Sequence, residues 1–278
     1  MLIDNTPRSV TTTPAIKKAA PGVKNIIIVG AGYAGWQAAE SIRKLNKDQP
    51  ILLVTACDGA VYPKPSLSMA LQQNRTVNDL IESSGKDKAA DLQIQIKTNT
   101  KVVSINPARK TLMTTSGKLE YDKLILATGA KAIAPLLSGD AAHEIVTLNN
   151  LPSYKRFRDQ LTKQSHVSII GSGLIALEIA EDLATQQIET SLIIRSNHVM
   201  RQLLPDTLSS EYEHKLYSQG IKLIKQVTAT ELNYHDNSLM LKLSNGDHIK
   251  TDIVVAAIGL NPTVELAEKA GLITHKGI

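Results

Sequence analysis

Apolar residues in this chain fall into two alternating patterns. Short apolar runs, such as residues 26–29, 51–54 and 253–257, and 167–170 with one Ser, are too brief for helices and rich in Ile, Val and Leu, so they predict buried strands of a parallel sheet. Between them lie segments with apolar residues every three or four positions, such as 33–45 and 174–185, which predict amphipathic helices. Strands alternating with helices in this way predict an α/β protein.

The pattern occurs twice. Residues 25–45 read strand, glycine turn, helix, and residues 166–185 read the same. Each copy closes on a matched strand, 121–129 ending in Thr128-Gly129 and 251–259 ending in Ile258-Gly259. Inside each copy lies a β-rich stretch: 94–119 with a turn at Ser116-Gly117, and 222–249 with a turn at Asn245-Gly246. The duplication predicts two Rossmann-like, three-layer dinucleotide-binding domains, each a parallel sheet carrying a small antiparallel excursion. The expected ranges are 25–145 for the first domain and 146–260 for the second, inserted in the first, with 261–278 starting the return. Residues 1–24 hold Pro and Thr without apolar periodicity and are expected to form a disordered arm.

Composition narrows the function classes. The 278 residues are 42% hydrophobic, enough for two cores, while aromatics make up only 3%, so aliphatic residues and Ala must fill them. The net charge is +5, but Arg8, Lys17, Lys18 and Lys24 of the arm, against Asp4, supply most of it. A nearly neutral body without an aromatic-interleaved basic patch argues against nucleic acid. No run approaches the ~20 apolar residues of a membrane span, and no apolar leader is apparent. The single cysteine, Cys57, rules out an internal disulfide and a paired-cysteine redox or zinc site, and a reducing cytoplasm is the simplest compartment. Cys57 itself is expected to be a small buried hydrophobe at a strand end. The histidines stand singly without ligand spacing, so no metal site is expected.

The candidate chemistry lies in the glycine turns. Gly30-Ala31-Gly32-Tyr33-Ala34-Gly35 follows a strand and opens a helix, the context in which this motif binds a dinucleotide. Gly30 permits the tight turn, Gly32 lets a pyrophosphate approach the backbone, and Gly35 lets helix and strand pack closely. The helix start supplies N–H groups and a positive dipole end to the phosphates. Gly171-Ser172-Gly173-Leu174-Ile175-Ala176 repeats the arrangement, with Ala176 as the small packing residue. Two such turns in one chain suggest electron transfer between two dinucleotides.

These motifs, together with the segment Tyr62-Pro63-Lys64-Pro65-Ser66-Leu67-Ser68, the strand ends at Ala127-Thr128-Gly129 and Ala257-Ile258-Gly259, and Glu178, resemble the FAD-dependent pyridine nucleotide oxidoreductases, most closely the rubredoxin reductase branch, over residues 25–278. The resemblance implies FAD on the first turn and NAD(P)H on the second. It implies hydride transfer to the flavin, then electron release to rubredoxin or a similar small iron-containing carrier. It also implies that Lys64, with Pro65 beside it, and Glu178 form a pair at the flavin edge, and that Thr128, Gly129 and Gly259 line the cofactors. Members of the family continue past the position of Ile278 with a further flavin-binding motif and an interface domain. The chain is therefore expected to be C-terminally incomplete and to hold FAD poorly alone.

Some positions depart from that pattern. Cys57 stands where the ribose-binding acid is usual and Asp58 follows; Asp58 either takes the ribose role or forms a simple turn with Gly59. The thiol nucleophile of the disulfide-reducing and single-cysteine branches is missing from the segment after Lys64, so electrons are expected to leave the flavin directly. A ferredoxin or a small-molecule acceptor is an alternative to rubredoxin. A nucleotide-holding interaction protein without turnover is a reading of a different class. At the end of the second copy's second strand the usual acid is replaced by Ile194, and Arg195 and Arg201 follow, similar to the NADPH site of glutathione reductases. This favours NADPH over NADH; the alternative is that both arginines are solvated loop residues and NADH is used.

Overall fold

The computed structural model describes residues 25–278. The expected arm over residues 1–24 lies outside them. The chain forms two compact α/β units, the first from residues 25–61, 83–129 and 264–278, the second from residues 62–82 and 130–263. The second unit is thus inserted in the first.

The first unit begins with β1 (Ile26–Val29), α1 (Tyr33–Leu45) and β2 (Ile51–Val54), and continues with α2 (Gly85–Asp91) and β3 (Gln95–Lys97). The strands β4 (Val102–Asn106), β5 (Thr111–Thr114) and β6 (Gly117–Glu120) precede β7 (Lys123–Leu126). A parallel sheet of order β3-β2-β1-β7 sits beside a separate antiparallel sheet β4-β5-β6. Alternation along β1 divides two cores. Ile28 packs with Trp36, Ala39, Leu53 and Ile94 on the helical side. Ile27 and Val29 pack with Leu52, Val54, Ile105 and Leu112 on the antiparallel side. Both faces of the central strand are buried, so an unbroken Ile-Ile-Ile-Val run is what the position requires.

The second unit repeats the plan after β8 (Ala130–Ala132) and α3 (Leu151–Gln160): β9 (His166–Ile170), α4 (Leu174–Thr185), β10 (Glu189–Ile194), α5 (Asp206–Ser218) and β11 (Lys222–Lys225). The antiparallel strands β12 (Ala229–His235), β13 (Ser238–Leu243) and β14 (His248–Thr251) follow, then β15 (Ile253–Ala256) and β16 (Leu260–Pro262). The parallel sheet has the order β11-β10-β9-β15, the same topology as the first. Val167, Ile169, Leu192 and Ile194 face the helices, and Ile170, Ile193 and Val254 face the antiparallel strands. Helix α6 (Glu265–Lys269) belongs to the first unit, where Leu266 and Ala270 pack on the core beneath β4 and β5. Residues 264–278 thus group with the first unit.

The division differs from the contiguous ranges 25–145 and 146–260. Residues 130–145 join the second unit because β8 pairs with β16 and Ala141 lies in the core under β12 and β13. Residues 62–82 join it because Leu67, Ala70, Leu71 and Leu80 enter the core formed by α3, α4 and β9. Both glycine turns nevertheless sit in separate sheets, as the duplication requires.

Candidate functional site

Each glycine turn is built for close approach of a ligand to the main chain. Gly30 has φ of +112° and Gly171 of +144°, and a Cβ at either would run into the carbonyl of Ala127 or Ala257, just past the end of the neighbouring strand. A Cβ on Gly35 would collide with the Gly30 carbonyl oxygen. Gly32 and Gly173 are different: a Cβ there would meet nothing within 4 Å. These two glycines are the N-caps of α1 and α4, and neither helix start has a side-chain cap. Open space before uncapped N–H groups fits a pyrophosphate at each turn. Tyr33, Leu174 and Ile175, the first residues of the helices, are exposed although apolar, with Ala34 next to Tyr33. Thr128 and Gly129 follow β7, and Gly259 follows β15, so all three lie just past the C-terminal ends of strands adjacent to the glycine turns.

Lys64 opens a 3-10 turn over Lys64–Ser68, with Pro65 fixing its first step. This turn and Glu178 both lie in the second unit. The expected Lys64–Glu178 ion pair is not formed among the described residues. The Ser68 hydroxyl instead donates to Glu178 Oε2 at 2.6 Å. Further along α4, Asp182 accepts the main-chain N–H of Leu71 (3.0 Å, Oδ2) and of Gln72 (2.7 Å, Oδ1), and Gln186 donates to the Leu71 carbonyl at 3.3 Å. At its start the segment is tied by Tyr62, whose hydroxyl accepts the Leu151 N–H at 3.1 Å. Arg158 of α3 reaches the carbonyl of Arg75. Sequence reasoning missed Ser68, Asp182 and Gln186. The available signal was the spacing of Glu178, Asp182 and Gln186, polar residues at i, i+4 and i+8 along and just past the helix.

Arg195 and Arg201 flank the loop after β10, and both are exposed. Neither guanidinium has a protein partner among the described residues. The loop between them is anchored by the buried Glu213 of α5, which accepts the Val199 N–H at 3.1 Å and pairs with Lys225 Nζ at 2.8 Å. Burial alone would raise the Glu213 carboxyl, but the Lys225 ammonium, the Val199 N–H and nearby His198 together hold it below the usual carboxylate range.

One expectation changes on the first unit, that for Cys57. Cys57 is exposed, because it lies in the turn after β2 and not in the strand, with Sγ 3.1 Å from Thr55 Oγ1. Asp58 Oδ1 accepts the Ala60 N–H at 3.1 Å, so the Asp58-Gly59 turn is formed, with Gly59 at φ +80°. Among the described residues, no group of three or more His, Cys, Asp and Glu is placed to hold a metal, and no helix is long and apolar enough to cross a membrane.

The family described as pyridine nucleotide-disulphide oxidoreductase matches residues 24–278. The chain belongs to this family. Among family relatives, the rubredoxin-NAD(+) reductase of Alcanivorax borkumensis is 35% identical over 254 residues, covering 91% of this chain and 66% of that protein. This chain thus spans just under two thirds of that relative's length. A putidaredoxin reductase solved in covalent complex with putidaredoxin is similar with a TM-score of 0.85 at 28% identity, over 92% of this chain and 63% of that one. An engineered water-forming NADPH oxidase bound to NADPH has the same fold, with a TM-score of 0.81 at 22% identity, over 88% and 56% of the two chains. The family description names a disulphide; these 278 residues hold one cysteine, Cys57, and so no disulfide among themselves.

Proposed function

We propose that the chain is the nucleotide-binding portion of a flavoprotein reductase, with FAD on the first glycine turn, NADPH on the second, and a rubredoxin or similar small iron carrier as electron acceptor. The observation that carries this reading is the pair of uncapped glycine cradles, each open at Gly32 or Gly173, on two copies of one fold. When bound, the two cofactors supply hydride and single-electron chemistry. Gly32 and Gly173 allow phosphate to reach the main chain, and the starts of α1 and α4 offer N–H groups and a positive dipole end. Lys64 supplies a cation for negative charge on the reduced flavin, and Glu178, held by Ser68, moderates that field. The named relatives, a rubredoxin reductase and a putidaredoxin reductase, support an iron carrier as partner. A single cysteine is in keeping with direct electron release and with a reducing cytoplasm.

Preference for NADPH rests on the loop after β10. Ile194 carries no charge to repel a 2′-phosphate, and Arg195 and Arg201 are free to grip it. The engineered NADPH oxidase supports this reading. Its stated substitutions remove an aspartate, place arginine and serine at the next two positions and a second arginine further on, and install an alanine upstream. Laid on Ile194, that set falls on Arg195, Ser196, Arg201 and Ala176, the residues already present here. The Alcanivorax relative is named for NAD(+), so the preference would be a property of this chain's own loop.

The direct test of the placement is binding. FAD added in excess should bind, and Gly32→Val should abolish that binding while Gly173→Val leaves it intact and removes NADPH binding. Loss of FAD from Gly173→Val with none from Gly32→Val would overturn the assignment.

A further inference from the structure

We propose that Asp182 is a positioning residue that fixes the Lys64 segment relative to the second glycine turn. The proposal rests on the reading of Lys64 as the cation of the flavin edge. Glu178, Asp182 and Gln186 follow one line along α4 and just past its end, and all three bond the same stretch, Ser68 to Gln72. Asp182 is the centre of this ladder. It is 3% exposed, and it spends both carboxylate oxygens on two consecutive main-chain N–H groups. A buried carboxylate normally recruits a cation, but no ion pair to Asp182 exists among the described residues. Burial pushes its carboxyl up, and the two N–H bonds oppose that.

Packing alone would hold the segment, since Leu67, Leu71 and Leu80 are already in the core. What packing does not supply is direction. Apolar contacts tolerate small rotations and slips, whereas two hydrogen bonds to adjacent N–H groups fix the main chain of Leu71 and Gln72 in register. The turn that opens at Lys64 closes at Ser68, three residues before Leu71, and Ser68 is itself bonded to Glu178. The helix that fixes it starts at Gly173, and Asp182 lies about 12 Å along its axis from Leu174. One helix therefore carries the N–H groups of the second glycine turn at its start and, along its length, holds the end of the Lys64 turn and the residues just after it. The nicotinamide nucleotide and the Lys64 ammonium are set by a common ruler. Asn at position 182 would keep the shape but turn one acceptor into a donor facing an N–H, leaving a single bond.

The test is anaerobic stopped-flow reduction of the flavin-loaded protein by NADPH over a range of nucleotide concentrations. Wild type is compared with Asp182→Asn, Gln186→Leu and Leu80→Ala, the last weakening the packing of the segment without touching the ladder. Asp182→Asn should lower the limiting reduction rate about tenfold, with the apparent nucleotide Kd within about twofold of wild type. Gln186→Leu should act in the same direction by roughly two- to threefold. Leu80→Ala should lower Tm and leave the rate alone. Reduction of Asp182→Asn at the wild-type rate, or slowing no greater than in Leu80→Ala, would overturn the proposal; if Asp182→Asn does not fold, an unchanged rate in Gln186→Leu does the same. Wild-type flavin that NADPH fails to reduce would overturn the functional reading and this proposal with it, whereas normal wild-type reduction with unaffected variants would overturn this proposal alone.

Discussion

The Ser68 hydroxyl lies 2.6 Å from Glu178 Oε2, and Lys64 stands at the other end of the same five-residue turn. Glu178 is thereby bound by a neutral donor and makes no ion pair with Lys64 among the described residues. Lys64→Ala should slow flavin reduction by about a hundredfold while changing nucleotide affinity little, and Lys64→Arg should recover part of the rate. Rapid-reaction kinetics on the flavin-loaded variants checks this; an unchanged rate in Lys64→Ala removes Lys64 from the chemistry. Ser68→Ala should release Glu178 and produce a smaller loss.

The two glycine turns differ in how tightly they close. At the third glycine position the first turn has Gly35, where a Cβ would collide with the Gly30 carbonyl, while the second turn already carries Ala176. Gly35→Ala should therefore cost about 1–3 kcal/mol and weaken FAD retention. Ala176→Gly should cost only about 0.5–1 kcal/mol, the usual penalty for glycine inside a helix. Denaturant unfolding of both variants reads the difference, and equal losses would contradict the geometry.

Glu213 makes a pH-dependent contribution to stability. Its carboxyl is held below the ordinary value of 4.5 by Lys225 and the Val199 N–H despite burial. A carboxyl depressed on folding adds stability above its unfolded pKa, and that part is lost as pH falls through the folded value. Glu213→Gln should therefore be less stable than wild type at pH 7 by about 1–3 kcal/mol. The gap should narrow on acidification below about pH 4.5. Urea unfolding at neutral and acid pH measures the gap; one that widens in acid would show the opposite sign.

Arg195 and Arg201 should set cofactor choice. Arg195→Ala or Arg201→Ala should lower kcat/KM for NADPH about tenfold or more each and leave NADH nearly unaffected. Steady-state kinetics with both nucleotides decides it. Equal effects on both, or a wild type that prefers NADH, would return the arginines to solvated loop residues.

The duplicated plan was legible because each of its marks is local. A buried strand, a glycine turn and an amphipathic helix follow one another within residues 25–45 and again within 166–185, and the turns at Ser116-Gly117 and Asn245-Gly246 announce the antiparallel strands. The allegiance of residues 62–82 was not legible. Leu67, Ala70, Leu71 and Leu80 are spaced irregularly along turns, so no period reveals that they share one core with Leu177 and Phe157, far away in sequence. Asp182 reads in sequence as one more charge on a helix, and only the approach of Leu71 and Gln72 makes it a buried acceptor. Cys57 was misjudged because β2 ends at Val54, so that the thiol falls in the exposed turn beyond it.

The most direct measurement is an anaerobic titration of the flavin-loaded protein with NADPH, followed by the visible absorbance of the flavin. The proposed transfer from NADPH to FAD predicts stoichiometric bleaching of the yellow colour, and its return when oxidised rubredoxin is added. A bound flavin that keeps its colour through excess NADPH and NADH would contradict the reductase assignment.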